Sequence, residues 1–346
     1  MTLREDFRHQ ALHCAALGSP FMVQLMRLCA DRLTPGDPVS DALFNWLGDR
    51  SASGASVPLR LAGGLHMLVL CDKDPGLKSV YPPNTPSDDA LWTAVQNAMQ
   101  RHVKFLLEFI KLPPQTNEIR RSCVMIAASH LLADRFGLPM VLSELGASGG
   151  LNLLFDHYQL IVGKARFGAA DPITTLAPDW SGPMPPDTRF EITNRAGVDL
   201  SPLDPTKDKD HLRLLAYSWP DQPDRIERLK SAAPHQTTLV DKENVADWLP
   251  RRLSHHPKGH LHLVYNTVAW QYFPHSVQHS CTKALEQAGA RATITSPLAH
   301  LAMEADEKSE GAAITLRIWP NGEKYNLGRV DFHGRWINWS KESILT

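Results

Sequence analysis

Pro139–Asn152 reads PMVLSELGASGGLN. Met140–Leu145 is a short apolar run of the kind that forms a parallel strand buried on both faces. It carries Glu144 near its end and passes into Gly146, Ala147, Ser148, Gly149 and Gly150. Residues this small let a backbone approach a ligand without interference from Cβ atoms. The apolar stretch Leu151–Tyr158 comes next, and a helix starting there would present free N–H groups to an anion.

Three chemistries fit such a turn. One is S-adenosylmethionine (SAM) binding, with Glu144 answering the cationic amine of the ligand and the helix start its carboxylate. Turns of that kind usually read acidic-x-Gly-x-Gly-x-Gly, and here Ser148 replaces the central glycine. A dinucleotide site needs G-x-G-x-x-G, and Gly146, Gly149 and Gly150 do not have that spacing. The last is a nucleophile elbow, because Gly146–Gly150 is literally G-x-S-x-G between a strand and a helix. That alternative makes Ser148 the nucleophile of a serine hydrolase. Such an enzyme places several strands before its elbow, whereas no strand is predicted here before about residue 139.

Outward from the turn, the chain divides. Residues 1–112 carry apolar positions three and four apart, as in Leu3, Phe7, Ala11 and Cys14, and predict an all-α region. Lys111-Leu-Pro-Pro114 marks a boundary, and Thr116 or Asn117 caps a predicted helix from Glu118 to Phe136, closed by Gly137. Residues 113–346 predict strands at Met140–Leu145, Phe190–Thr193, Gly197–Leu200, Thr237–Val240, Leu261–Asn266 and Ala292–Thr295. Helices such as Asp221–Ala233 and Ser276–Gln287 lie between them, and a loop or hairpin insertion falls at about 160–190. This alternation implies a doubly wound, mostly parallel, Rossmann-like sheet. The tail, with the turn Pro320-Asn321-Gly322, predicts a terminal antiparallel hairpin. A parallel sheet closed in this way is the layout of class I methyltransferases.

In such a sheet the ligand crevice lies at the carboxyl ends of the strands. Asp199, in Gly197-Val-Asp199, is the candidate for ribose hydroxyls, and Asn244, with Asp241 as the other choice, for adenine. Tyr265, Asn266 and Thr267 end the next strand, where a transferred methyl group would lie. Asn152 completes the cofactor set of Glu144, Gly146, Ala147, Ser148, Gly149, Asp199, Asn244 and Asn266. Methyl transfer is an in-line displacement that depends more on alignment than on acid–base power, and no general base stands out.

Composition narrows the partners. The 346 residues are 43% hydrophobic and 21% charged, with a net charge of −1, so no global field draws the chain to nucleic acid or to an anionic membrane. The N-terminus lacks an apolar segment and no run is long enough to span a bilayer, which predicts a soluble cytoplasmic protein acting on a small molecule. The five cysteines are scattered without a CxxC pair, against a disulfide framework or zinc knuckle. His9/His13 and His275/His279 have helical i,i+4 spacing, and His255, His256, His260 and His262 are dense. None has a third ligand or HExxH context, so no metal is expected.

The whole chain resembles a bacterial family of unknown function whose sheet domain is grouped with methyltransferase-like Rossmann proteins. The residues that carry the likeness are Pro113-Pro-Gln115-Thr-Asn117-Glu118, Glu144–Leu153, Asp199-Leu-Ser-Pro-Leu-Asp204-Pro, Trp219-Pro-Asp221-Gln222 and His333-Gly-Arg335-Trp336. The resemblance implies a fold rather than a substrate. The family turn usually reads Ala-Gly where Gly149-Gly150 stands, and Asp where Asn244 stands. Gln115, Asn117 and Glu118 would form a lid over the ligand, and Pro220 and Asp221 suit the first turn of a helix. The leading expectation is a SAM-dependent methyltransferase. Beside it stand the serine hydrolase and a catalytically silent binding protein.

Overall fold

The computed structural model describes residues 2–340 apart from His256, Glu307 and Ser309. The chain forms two units, and the division is discontinuous: residues 1–116 and 205–230 make one, residues 117–204 and 231–346 the other. The sequence boundary near residue 112 therefore shifts by a few residues. The stretch 205–230, expected within the sheet domain, belongs to the helical unit.

The helical unit is built from Leu3–Ala16, Pro20–Arg32, Pro38–Phe44, Val57–Leu70, Pro75–Lys78, Asp88–Arg101 and Val103–Phe109, joined by the later helix Asp208–Ala216. Capping explains where several begin. Thr2 and Glu5 form a reciprocal capping box, and Ser19, Asp37, Asp74 and Ser87 each accept a backbone N–H of the first turn. The core includes Phe7, Leu25, Met26, Leu61, Leu65 and Val95, and Trp219 packs into it from the inserted segment. Asp221 accepts Ser19 Oγ and, at 2.9 Å, Phe21 N–H, while Gln222 Nε2 donates to Leu17 O at 2.8 Å. The Trp219–Gln222 motif thus fastens the insertion to the turn before Pro20–Arg32.

In the sheet unit the strands are β1 (Met140–Leu145), β2 (Tyr158–Val162), β3 (Ala165–Gly168), β4 (Thr174–Leu176), β5 (Asp179–Ser181), β6 (Ile192–Asp199) and β7 (Asp241–Lys242). Beyond these come β8 (Leu261–Thr267), β9 (Leu298–Glu304), β10 (Ala312–Trp319), β11 (Glu323–Val330) and β12 (Trp336–Trp339). The large sheet has the order β5-β12-β11-β10-β9-β8-β1-β6-β7. Pairing is parallel from β7 through β6, β1 and β8 to β9, antiparallel from β9 to β12, and parallel again between β12 and β5. It is a mixed, mostly parallel α/β sheet, with the helices Ser122–Phe136, Val245–Ser254 and His275–Gly289 in the same unit. β2, β3 and β4 form a small separate sheet inside the expected insertion.

Four expectations need correction. Phe190–Thr193 and Gly197–Leu200 are one strand, β6, because its polar middle is paired: Arg195 grips Asp156 with two hydrogen bonds, and Asn194 accepts from Arg252. Thr237–Val240 is not a strand; Leu239 is exposed, and β7 is confined to the next two residues. Ala292–Thr295 is a turn closed by a single bridge from Thr293 to Ser296, with Ile294 exposed. The strand lies beyond it at β9, whose Leu298, Leu301 and Met303 are buried. Finally, the helix expected from Glu118 begins as a 3-10 turn, Ile119–Arg121, capped by Glu118, and is α-helical only from Ser122.

Candidate functional site

β1 lies in the middle of the parallel strands with β6 on one side and β8 on the other. The chain leaves β1 toward one side and later returns to its other side, a topological switch point, and in sheets of this kind ligands bind there, outside the carboxyl ends of the strands. The glycine turn lies at that end.

The turn is held by its own chain. Gly146 and Ala147 N–H donate to Val198 O. Ser148 N–H donates to Asp199 Oδ2 at 3.0 Å, and Gly149 and Leu151 N–H both donate to Asn117 Oδ1, at 3.1 and 3.0 Å. The next element is a 3-10 helix, Leu151–His157, and not the expected α-helix. It is riveted by Tyr158 Oη to Leu151 O, Tyr265 Oη to Asn152 O, and Ser122 Oγ to Asn152 Oδ1. The turn therefore does not offer these N–H groups as an anion cradle. Two glycines are sterically required. At Gly146 (φ 74°) a Cβ would come within 2.6 Å of Ala269 Cβ, and at Gly150 (φ 68°) within 2.9 Å of Val240 Cγ2. The small residues here admit neighbouring chain as much as ligand. Ser148 is buried and has φ 54°, a left-handed conformation unusual for a residue with a side chain.

Glu144 is 2% exposed, and its Oε2 has no hydrogen-bond partner among the described residues. Burial, then the negative charge of Asp199, pushes its pKa well above the usual carboxyl range; the Arg121 charge and the Tyr265 hydroxyl act the other way. In the folded chain Glu144 keeps its proton to higher pH than in the unfolded chain. Stability is thus lost as pH rises above the ordinary Glu value, unless a cation answers the carboxylate.

A second carboxyl, absent from the sequence expectations, lies at the end of β9. Glu304 Oε1 accepts Asn266 Nδ2, Ala269 N–H and Trp270 N–H at 2.8, 2.8 and 3.0 Å, while Oε2 is enclosed without a partner among the described residues. Burial raises its pKa against the pull of those three bonds and of Arg121. Asn266 is oriented by this arrangement: its amide N–H₂ faces Glu304, so Oδ1 accepts from His300 Nε2 at 2.8 Å. Burial holds the His300 pKa down to about 4, which keeps the ring neutral. Arg121 donates to Thr267 O at the end of β8 and to Phe332 O, and its charge reaches both glutamates. Glu304 escaped notice because β9 was expected several residues earlier.

The other sequence candidates take definite places. Asp199 ends β6, half-buried, and accepts both Ser148 N–H and Ser201 N–H. Asn244 is exposed and caps the helix Val245–Ser254 through Ala246 N–H; Asp241 accepts Trp248 Nε1. The structure therefore brings Glu144, Asn152, Tyr265, Asn266, Thr267 and Asp199 to the strand ends and gives Asn244 a capping role. Asn117 and Glu118 are buried and cap the glycine turn and the 3-10 turn, and Gln115 falls in the helical unit. Asp331 Oδ1 accepts N–H from His333 and Arg335 and pairs with the Arg335 side chain, which makes His333–Trp336 a self-bonded turn.

His9, His13, His275 and His279 are exposed, His262 is buried against Ser143 Oγ at 2.8 Å, and His256 lies outside the described residues. Among the described residues no group of three or more His, Cys, Asp or Glu is arranged to hold a metal. No described helix is long and apolar enough to cross a membrane.

No curated protein and no solved structure shows significant similarity to the chain. A family model described as an uncharacterized protein conserved in bacteria, DUF2332, matches residues 4–339. With its fold, its glycine turn and nearly its whole length inside that match, the chain belongs to the DUF2332 family.

Proposed function

We propose that the sheet unit binds S-adenosylmethionine at the carboxyl edge of β1 and transfers its methyl group to a small molecule. The observation that carries this reading is Glu144, a buried carboxyl with an unpartnered oxygen at the switch point of a parallel sheet. Such a group is costly to ionise alone and favourable once an ammonium meets it. The run β7-β6-β1-β8-β9 followed by an antiparallel strand supports a methyltransferase-type arrangement, and Asp199 at the end of β6 is the carboxyl that would meet a ribose. One element of the expectation changes. Because the turn N–H groups bond to Asn117 and Asp199, compensation for the ligand carboxylate falls to the charge of Arg121.

Calorimetric titration with SAM and S-adenosylhomocysteine tests the reading. Both should bind the wild-type protein, and Glu144→Gln should weaken them about tenfold or more, the scale of a lost charge-assisted hydrogen bond. No binding at millimolar ligand would sink it. The left-handed Ser148 favours a second reading, a serine hydrolase, since strained backbone concentrates at nucleophiles. Covalent labelling by a fluorophosphonate that disappears in Ser148→Ala would establish that alternative.

A further inference from the structure

The proposed donor site makes no use of Glu304, yet this carboxyl is held as firmly as Glu144. Three donors fix Oε1, so any proton it gains or loses sits on Oε2. The register places Glu144 beside Tyr265, and Tyr265 beside Leu301, on one face of the sheet. Glu304 lies three residues beyond Leu301, so strand alternation turns it toward the opposite face, the face of Asn266. The two carboxyls approach the strand ends from opposite sides, with Arg121 bonded to the end of β8 between their strands.

Charge then argues for the occupant. Asp199 and Arg121 act on Glu144, and Arg121 acts on Glu304. Burial favours the neutral form of both glutamates, so ionising either one is costly unless a cation meets it. The methyl donor, with its sulfonium, ammonium and carboxylate, brings one net positive charge. Its ammonium answers Glu144, and a second cation is what makes an ionised Glu304 favourable.

We infer that Glu304 is the acceptor-side carboxyl of the crevice and that the acceptor is a protonated amine; this rests on the proposed use of the site. The ammonium R–NH₃⁺ gives a proton to Glu304 Oε2, leaving R–NH₂. The nitrogen lone pair attacks the methyl carbon of the sulfonium, the C–S bond breaks, and its electron pair stays on sulfur. The products are the N-methylated ammonium and the thioether, with the first proton on Glu304. Asn266 and neutral His300 position Oε1 and take no proton.

The test uses matched probes that differ only in the charged group: butylamine against butanol, and tyramine against tyrosol. They are titrated by NMR into full-length protein saturated with S-adenosylhomocysteine. The amine of at least one pair should bind about tenfold tighter than its alcohol. Glu304→Gln, whose amide oxygen can still accept the three donors, should remove that preference with an unchanged melting profile. Glu304→Asp, which keeps the charge, should retain part of it. No amine preference in the wild type, or one that survives in Glu304→Gln, overturns the inference. If S-adenosylhomocysteine fails to bind, the donor reading is what fails. The same titrations on ligand-free protein still decide Glu304, since a preference lost in Glu304→Gln supports it and one that persists refutes it.

Discussion

Asn117 Oδ1 accepts two hydrogen bonds that the glycine turn has no means of making within itself. Gly149 and Leu151 N–H are buried, and an unpaired buried donor costs about 1–3 kcal/mol. Asn117→Ala is therefore expected to lower stability by about 2–4 kcal/mol, read as a lower urea midpoint with an unchanged slope. An intact midpoint would show that the turn finds other acceptors. At this scale the sequence was only partly legible. Glu144 stood out because an acidic residue in an apolar strand before small residues needs an explanation. Asn117 looked like a lid because its partners come 32 and 34 residues later, and no local pattern encodes a contact at that distance. Glu304 ends an alternating strand that any half-buried sheet could contain, and it gains meaning only beside Asn266 and the backbone of Ala269 and Trp270.

At the scale of elements, β1, β8 and the terminal meander were readable from apolar runs and from the Asn321-Gly322 turn. β6 was harder, since Asn194-Arg195 in its middle is acceptable only once Asp156 and Arg252 are brought alongside by folding. The sequence also misplaced β9, because Thr293, Ile294 and Thr295 have strong strand propensity while the ladder forms further on; tertiary pairing overrode local preference. In the helical unit, His66 on the helix Val57–Leu70 contacts Ala216 O at 3.2 Å on the inserted helix. Burial lowers its pKa to about 4. The unfolded chain takes up this proton near pH 6.5, the folded chain only near pH 4. Stability from neutral His66 is thus complete above pH 6.5 and lost as pH falls through that window. Moving from pH 7.5 to pH 5 should cost the wild type about 2 kcal/mol through this group, on 1.36 kcal/mol per unit. His66→Gln, compared by urea unfolding at both pH values, should lose correspondingly less; an equal loss would place the acid sensitivity elsewhere.

For the whole molecule, the insertion of residues 205–230 matters most. Trp219 in the helical core, Asp221 on the start of Pro20–Arg32, and Ala216 and Tyr217 packed with Met67 and Phe109 make it an integral part of the first unit. Replacing 205–230 with a Gly/Ser linker should leave the helical unit without a cooperative thermal transition. Supplying the 205–230 peptide to residues 1–116 should restore helicity measured by circular dichroism. A stable, cooperative 1–116 fragment without the peptide would contradict this. The sequence placed these residues in the sheet domain because their helical pattern fits a βα unit equally well; only the partners of Trp219 and Asp221 reassign them.

That interrupted path also sets an order of events during synthesis. The helical unit cannot complete its core until the ribosome has passed residue 230, by which time β1 to β6 have already emerged. Its first 116 residues must wait with unsatisfied apolar faces while part of the sheet is translated. The helical unit can then close while the sheet unit still waits for β7 to β12, and an arrest or premature stop before residue 230 would release a chain in which neither is whole.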